Sequence, residues 1–224
     1  MTIPYVTEID PAYGSVVEIT PSIRRVIANN PGRFTFTGTG TYIIGRGQVA
    51  VIDPGPENED HVAAILSAIP GEEISHIVVT HTHKDHSPAS RELQTATGAP
   101  IYGFGRHPVL PEDEVLRSKP TTWDELFPTP EELEELKKSM AFPSDDNTEH
   151  EQDEPGDMAF NPDIEVGHGD LIKGGTWTLE AVHTPGHISN HLCFGFKEEK
   201  SLFSGDHVMG WSTSVIPSPE GSMS

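Results

Sequence analysis

Short runs of β-branched and aromatic residues open the chain at 15–20, 23–27 and 34–44, separated by Asn30-Pro31-Gly32 and Gly45-Arg46-Gly47. A further run at 48–53 stops at Pro54-Gly55, and runs broken this way predict a strand meander. The period then changes. Val62, Ala63, Ile65, Leu66 and Ile69 lie on one helical face across 59–69, and Pro70-Gly71 closes that helix. Residues 74–80 are nearly all apolar, which suits a strand buried on both faces; 90–97 can form a helix ended by Gly98, and 100–104 a returning strand. Strand followed by helix followed by strand predicts an α/β layered fold.

From about Pro108 the pattern lapses. A Pro-interrupted stretch holds one predicted helix, 129–140, whose Thr129 and Glu132 match a capping box, and 144–157 is nearly devoid of apolar residues. Strand-like runs resume at 164–166, 177–183, 191–196 and 201–204, with no helical pattern after Met140. The expectation is one domain over 1–224 carrying an acidic insertion at about 108–160. Charge sharpens this: 14 Lys+Arg against 35 Asp+Glu leave a net of −21, and residues 111–157 alone hold 16 acidic and 4 basic side chains. So acidic a surface repels phosphate backbones, making nucleic acid an unfavoured partner and a small molecule the expected substrate. With one cysteine, Cys193, no internal disulfide can form, and a metal would have to be held by histidine and carboxylate. No apolar run is long enough to span a membrane, and the N-terminus lacks the pattern of a secretory signal, so a cytoplasmic protein is expected, with oligomerisation open.

His81-Thr82-His83-Lys84-Asp85-His86 follows the apolar strand directly, where a loop can aim several side chains at one point. Alternate residues of an extended segment point the same way, so His81 and His83 can converge on one ion while the next turn swings Asp85 and His86 toward another. Three more chemical side chains stand at comparable strand ends. Asp53 precedes Pro54-Gly55, where a carboxylate can fix a ligand histidine's tautomer; His187 follows Thr184-Pro185-Gly186; Asp206 follows Ser204-Gly205. His183 and His191 flank the His187 turn and are candidates for support. Nitrogen and carboxylate donors suit zinc, iron or manganese alike.

Through VIDPG at 51–55, THTHKDH at 80–86, TPGH at 184–187 and SGDH at 204–207, the chain resembles the metallo-β-lactamase-fold hydrolases. The resemblance implies a four-layer αββα sandwich with a dinuclear centre, most often zinc, at one edge. It assigns His81, His83 and His187 to one ion, Asp85 and His86 to the other, Asp206 as the bridge, and Asp53 as a support. TPGHISNH and the bridging Asp206 look closer to the glyoxalase II and β-lactamase-like protein 2 groups than to true β-lactamases. The family pattern also has a further metal-binding histidine some tens of residues beyond the bridging aspartate. Only 18 residues follow Asp206 here, with His207 the histidine among them, so the C-terminal part is expected to be incomplete and the second site one ligand short.

The function expected is a metal-dependent hydrolase that uses a metal-bound hydroxide, oriented by Asp85, on a small ester, thioester or lactone. Two alternatives stand beside it: a single-strand-specific endoribonuclease and a catalytically impaired metal-binding fragment.

Overall fold

The computed structural model describes residues 5–6, 8–109, 156–216 and 220–222. The helix expected at 129–140 and residues 110–155 of the acidic insertion lie outside them. Four antiparallel strands lead the chain, β1 (Val16–Thr20), β2 (Ile23–Ile27), β3 (Gly40–Ile44) and β4 (Gln48–Ile52). Helix α1 (Glu59–Ser67) then carries the chain to β5 (Glu73–Val78), and α2 (Ala89–Thr97) to β6 (Ile101–Gly103). These strands and β7 (Ile164–Glu165) add in parallel to β4, giving a seven-stranded sheet in sequence order. A second, antiparallel sheet has the order β11 (Ser201–Phe203), β10 (Leu192–Phe196), β9 (Thr178–His183), β8 (Leu171–Lys173).

The helices form where local chemistry caps them. The side chain of Asn58 accepts the His61 N–H at the start of α1, and Gly98, at φ 75, closes α2 by donating its N–H to Gln94. Their inner faces pack on the first sheet through Val62, Ile65, Leu93, Val49, Val51 and Ile77. The other face of that sheet meets the second sheet through Ile44, Ile52, Val78, Trp177, Leu179, Phe194 and Phe196. β4 and β5 are thus covered on both sides, which is why β4 is apolar after Gln48 and β5 buries Ile74, Ile77 and Val78. Each fully buried side chain of this kind contributes roughly 2 kcal/mol. The layers run helix, sheet, sheet; among the described residues no helix covers the outer face of the second sheet, where Leu171 and Leu202 are exposed. No helix is long and apolar enough to cross a membrane among the described residues.

One buried ion pair locks the meander to the turn after α1. Arg24 holds both oxygens of Glu72 at 2.6 and 3.1 Å and also donates to the carbonyls of Ala68 and Gly45. Glu72 accepts in addition from the N–H of Gly47, so the pair is hydrogen-bonded as well as charged.

Two strands differ from expectation. The run at 34–44 is a strand only over Gly40–Ile44. Asn30 clamps Thr39 from both sides, accepting its N–H at 2.9 Å and donating to its hydroxyl at 3.1 Å, while Gly38 (φ 130) and Phe36 (φ 57) turn the chain. Side-chain capping and a left-handed turn override the β-rich composition there. The three-residue β8 carries too short a pattern to have been expected.

Parallel strands β4 and β5 deliver Asp53 and His81 to the same edge of the first sheet. The antiparallel arrangement of β9, β10 and β11 puts Thr184, His191 and Ser204 at one end of the second sheet. The two edges meet, with Leu192 N donating to Thr80 O at 2.8 Å.

Candidate metal centre

The turn after β5 places His81, His83, Asp85 and His86 together, and all four are buried. Two groups of donor atoms result, His81/His83/His187 and His81/Asp85/His86, each lying within 4.8 Å. In the first, His83 Nδ1 is 3.1 Å from His81 Nε2 and 2.8 Å from His187 Nε2. In the second, His86 Nε2 is 3.0 Å from Asp85 Oδ2. Asp206 stands between them: Oδ2 is 3.5 Å from His187 Nε2 and 4.0 Å from His81 Nε2, and Oδ1 is 3.4 Å from His86 Nε2.

The partners on the far side of each ring settle where the protons are. Thr80 donates its hydroxyl proton to Asp53 at 2.8 Å and so accepts from His81 Nδ1 at 3.0 Å. His187 Nδ1 donates to the carbonyl of Val215, and His83 Nε2 to the carboxylate of Glu220. All three inward nitrogens therefore carry bare lone pairs, aimed at one another across about 3 Å. Three lone pairs so placed repel unless a cation lies among them, and donors about 2.0–2.1 Å from a tetrahedral ion would be about 3.3 Å apart. The donor set fits a metal ion. His86 differs: its Nδ1 donates to Asp53 at 2.9 Å and its Nε2 faces two carboxylates, to which it donates as an imidazolium, so it would ligate only after giving up that proton.

Electrostatics agree. Burial, aided by the neighbouring imidazoles, pushes His81 well below the usual histidine value and lowers His187, keeping both neutral and able to ligate. Burial would also depress His86, but Asp85, Asp206 and Asp53 overcome it and hold this imidazole well above the ordinary value. Burial would raise Asp206, and His86 keeps it below the ordinary value instead. The three carboxylates thus make a strongly cation-attracting pole at that end.

The remaining expected residues fall into place around these donors. Asp53 sits at φ 50 and accepts three hydrogen bonds, from Thr80 N, Thr80 Oγ1 and His86 Nδ1. His191, fully buried with its pKa pushed by burial to about 3, is a member of neither donor group but packs on the His81 ring; its Nε2 accepts the Asp206 N–H and its Nδ1 meets Thr184 Oγ1. It orients the turn that carries Asp206. Gly205 (φ 48) is required beside it, because a Cβ there would stand 2.6 Å from His191 Nε2. His183 faces away, stacked on Phe104. His207 joins neither donor group. Several contributors were not singled out: Thr80 and Thr82, the latter paired with His107 at 2.8 Å, lie inside the histidine motif, while Thr39, which donates to Asp85 Oδ2, His107 and Glu220 lie outside any motif. Common residue types distant in sequence give no local signal.

A cavity of about 370 Å3 opens over Asp85, His86 and Asp206, its walls including Ile19, Phe34, Tyr42, Leu202, Met209 and Trp211. Behind the centre, His61 Nε2 meets Thr41 Oγ1 at 2.8 Å, and that hydroxyl donates to the carbonyl of Asp53. Burial lowers His61 to about 4. Below pH 6.5 the unfolded chain takes a proton at this residue that the folded chain refuses, so stability falls as pH drops from about 6.5 toward 4. The expected cost at pH 5 is about 2 kcal/mol. Urea melts with chelator at pH 7.5 and pH 5 check it: His61→Gln should lose clearly less stability than wild type on acidification, and an equal loss would refute the assignment.

Comparison with known proteins identifies the class. The model of the metallo-beta-lactamase superfamily matches residues 35–222, and the chain belongs to that superfamily. Among curated relatives, an atrochrysone carboxyl ACP thioesterase of Cryptosporiopsis sp. (strain 8999) is 29% identical over 92% of this chain and 49% of its own length. A lactamase-like protein of Pestalotiopsis fici is 30% identical over 92% and 51%. The chain therefore spans about half the length of the curated relatives it matches. Solved structures share the fold: a beta-lactamase domain protein from Burkholderia ambifaria (TM-score 0.61, 18% identity, covering 96% of this chain and 61% of that one) and a metallo-beta-lactamase family protein of Thermus thermophilus (0.54, 20%, 88% and 63%).

Proposed function

We propose that this chain is a zinc-dependent hydrolase acting on a thioester or ester of a small or carrier-linked acyl group. The observation that carries the reading is the convergence of three bare imidazole nitrogens beside the Asp206 carboxylate. His81, His83 and His187 would hold one ion, Asp85 and His86 a second, and Asp206 would be shared. A bound divalent cation supplies a Lewis acid for the scissile carbonyl and makes water easier to deprotonate near neutral pH. The chain's own groups do the rest. Asp85, steadied by Thr39, offers its carboxylate at the cavity floor to orient an attacking water. Asp53 holds His86, and His191 holds the turn bearing Asp206, so these groups need little reorganisation when substrate arrives. The apolar and aromatic part of the cavity wall, with Phe34, Tyr42, Leu202, Met209 and Trp211, suits an acyl chain or ring, and the volume is at the lower end of that for small-ligand sites. The activity for which the thioesterase relatives are named and the chain's net charge of −21 favour an acyl thioester over RNA.

The test uses zinc-loaded protein with an acyl thioester, its oxygen-ester analogue and single-stranded RNA. Thioester cleavage that stops on chelation and returns with zinc is expected. Protein shown to contain metal that cleaves RNA but neither acyl substrate would overturn the reading.

A further inference from the structure

The geometry points to Glu220 as a positioning residue that prepares His83 for metal binding from the far end of the chain, an inference that rests on the metal-site reading above. His83 Nδ1 faces the other two imidazoles, so its opposite nitrogen must carry the proton, and the acceptor there is Glu220 Oε2 at 3.1 Å. The second oxygen, Oε1, takes the Nε2 proton of His107 at 3.2 Å. His107 is itself buried and fixed: its Nδ1 meets Thr82 Oγ1, which also accepts from Asn190. One carboxylate thus spans two imidazoles and ties the chain's last described turn to the loop bearing the ligands.

The backbone on either side supports the same docking. Ser222 N donates to Gly186 O at 2.8 Å, and Val215 O accepts from His187 Nδ1 at 2.6 Å. The segment around Glu220 therefore sets the tautomers of two of the three facing histidines. Gly221 lies so close to the His187 turn that a Cβ would stand 2.8 Å from Gly186 O and 2.9 Å from His187 O. Acceptors behind ligand histidines fix ring orientation and raise ligand basicity, and losing one costs about 10–100-fold in affinity.

Two measurements decide this. Long-range proton–nitrogen NMR on metal-free protein reads the His83 tautomer, and zinc titration against a competing chelator reads affinity. In wild type His83 should carry its proton on Nε2. Glu220→Ala should populate the other tautomer and weaken zinc roughly 10–100-fold, whereas Glu220→Gln, whose carbonyl can still accept from His83 while its amide donates to a His107 that moves its proton to Nδ1 and the Thr82 hydroxyl, should recover most of both. Gly221→Ala should weaken zinc as well, by displacing the turn without touching the carboxylate. Unchanged affinity in Glu220→Ala, or reduced affinity with His83 still protonated on Nε2, overturns the proposal. Should wild type bind no metal, the metal-site reading fails by itself, and the tautomer comparison still decides the role of Glu220.

Discussion

Replacing His81 and His83 together by alanine should abolish zinc retention and lower hydrolysis by about a thousandfold, the loss that follows when a Lewis-acid contribution of several kcal/mol is removed. Both side chains are buried, and each inward nitrogen lies within 3.1 Å of another, so no neighbour can take over their place. A structural role is separable from a ligand role by comparing stability with and without metal. Zinc bound by the folded state should raise the melting temperature of wild type with the logarithm of its excess over the dissociation constant. The double variant should show no such rise. Without metal it should be destabilised less than an ordinary core deletion, because the truncation also relieves the facing lone pairs. Elemental analysis showing equal metal in both proteins would refute the assignment.

The second large effect is expected at Asp53, which reaches the candidate ion positions only through His86 and, by way of Thr80, through His81. Its carboxylate accepts three hydrogen bonds, and Asp53→Asn leaves one acceptor oxygen and a new N–H₂ facing groups that also donate. An orphaned buried donor costs roughly 1–3 kcal/mol. Metal affinity or turnover should drop about 10–100-fold. Asparagine tolerates the left-handed backbone at φ 50 as well as aspartate does, so this variant isolates hydrogen bonding. Asp53→Ala adds backbone strain and should be less stable than Asp53→Asn by about 1 kcal/mol. If Asp53→Asn keeps wild-type affinity and rate, the His86 orientation argument is wrong.

The difference between what sequence reading reached and what it missed has a physical origin. His81, His83, Asp85 and His86 were legible because one turn carries them, and Asp53, His187 and Asp206 because each follows a strand and a turn signal. Strand–helix alternation likewise exposed the α/β layering. Residues 34–39 misled because aromatic and β-branched residues resemble a strand, while the side chain of one asparagine, Asn30, decides the local path. His107 and Glu220 escaped notice because their meeting is created only by folding: 113 positions separate them, and neither sits in a recognisable pattern. Thr80 and Thr39 are too common in composition to stand out, yet they dictate the protonation of His81 and the pose of Asp85.

The flanks of the acidic insertion carry a separate consequence, for how the protein tolerates change. His107 and Gly156 lie in contact, so close that a Cβ on Gly156 would stand 1.7 Å from the imidazole, and Gly156 bridges His83 in antiparallel fashion. Asp157 N then anchors to Thr82 O at 2.7 Å. A segment whose flanks already touch imposes a closure penalty that grows only logarithmically with length, about 0.6 kcal/mol for each doubling. The closure term alone therefore varies little with the number of residues joining His107 to Gly156, provided that the two keep their contact. The junction thus pins both flanks beside Thr82 and His83, so the turn bearing the candidate ligands keeps its supports whatever the length of chain between them.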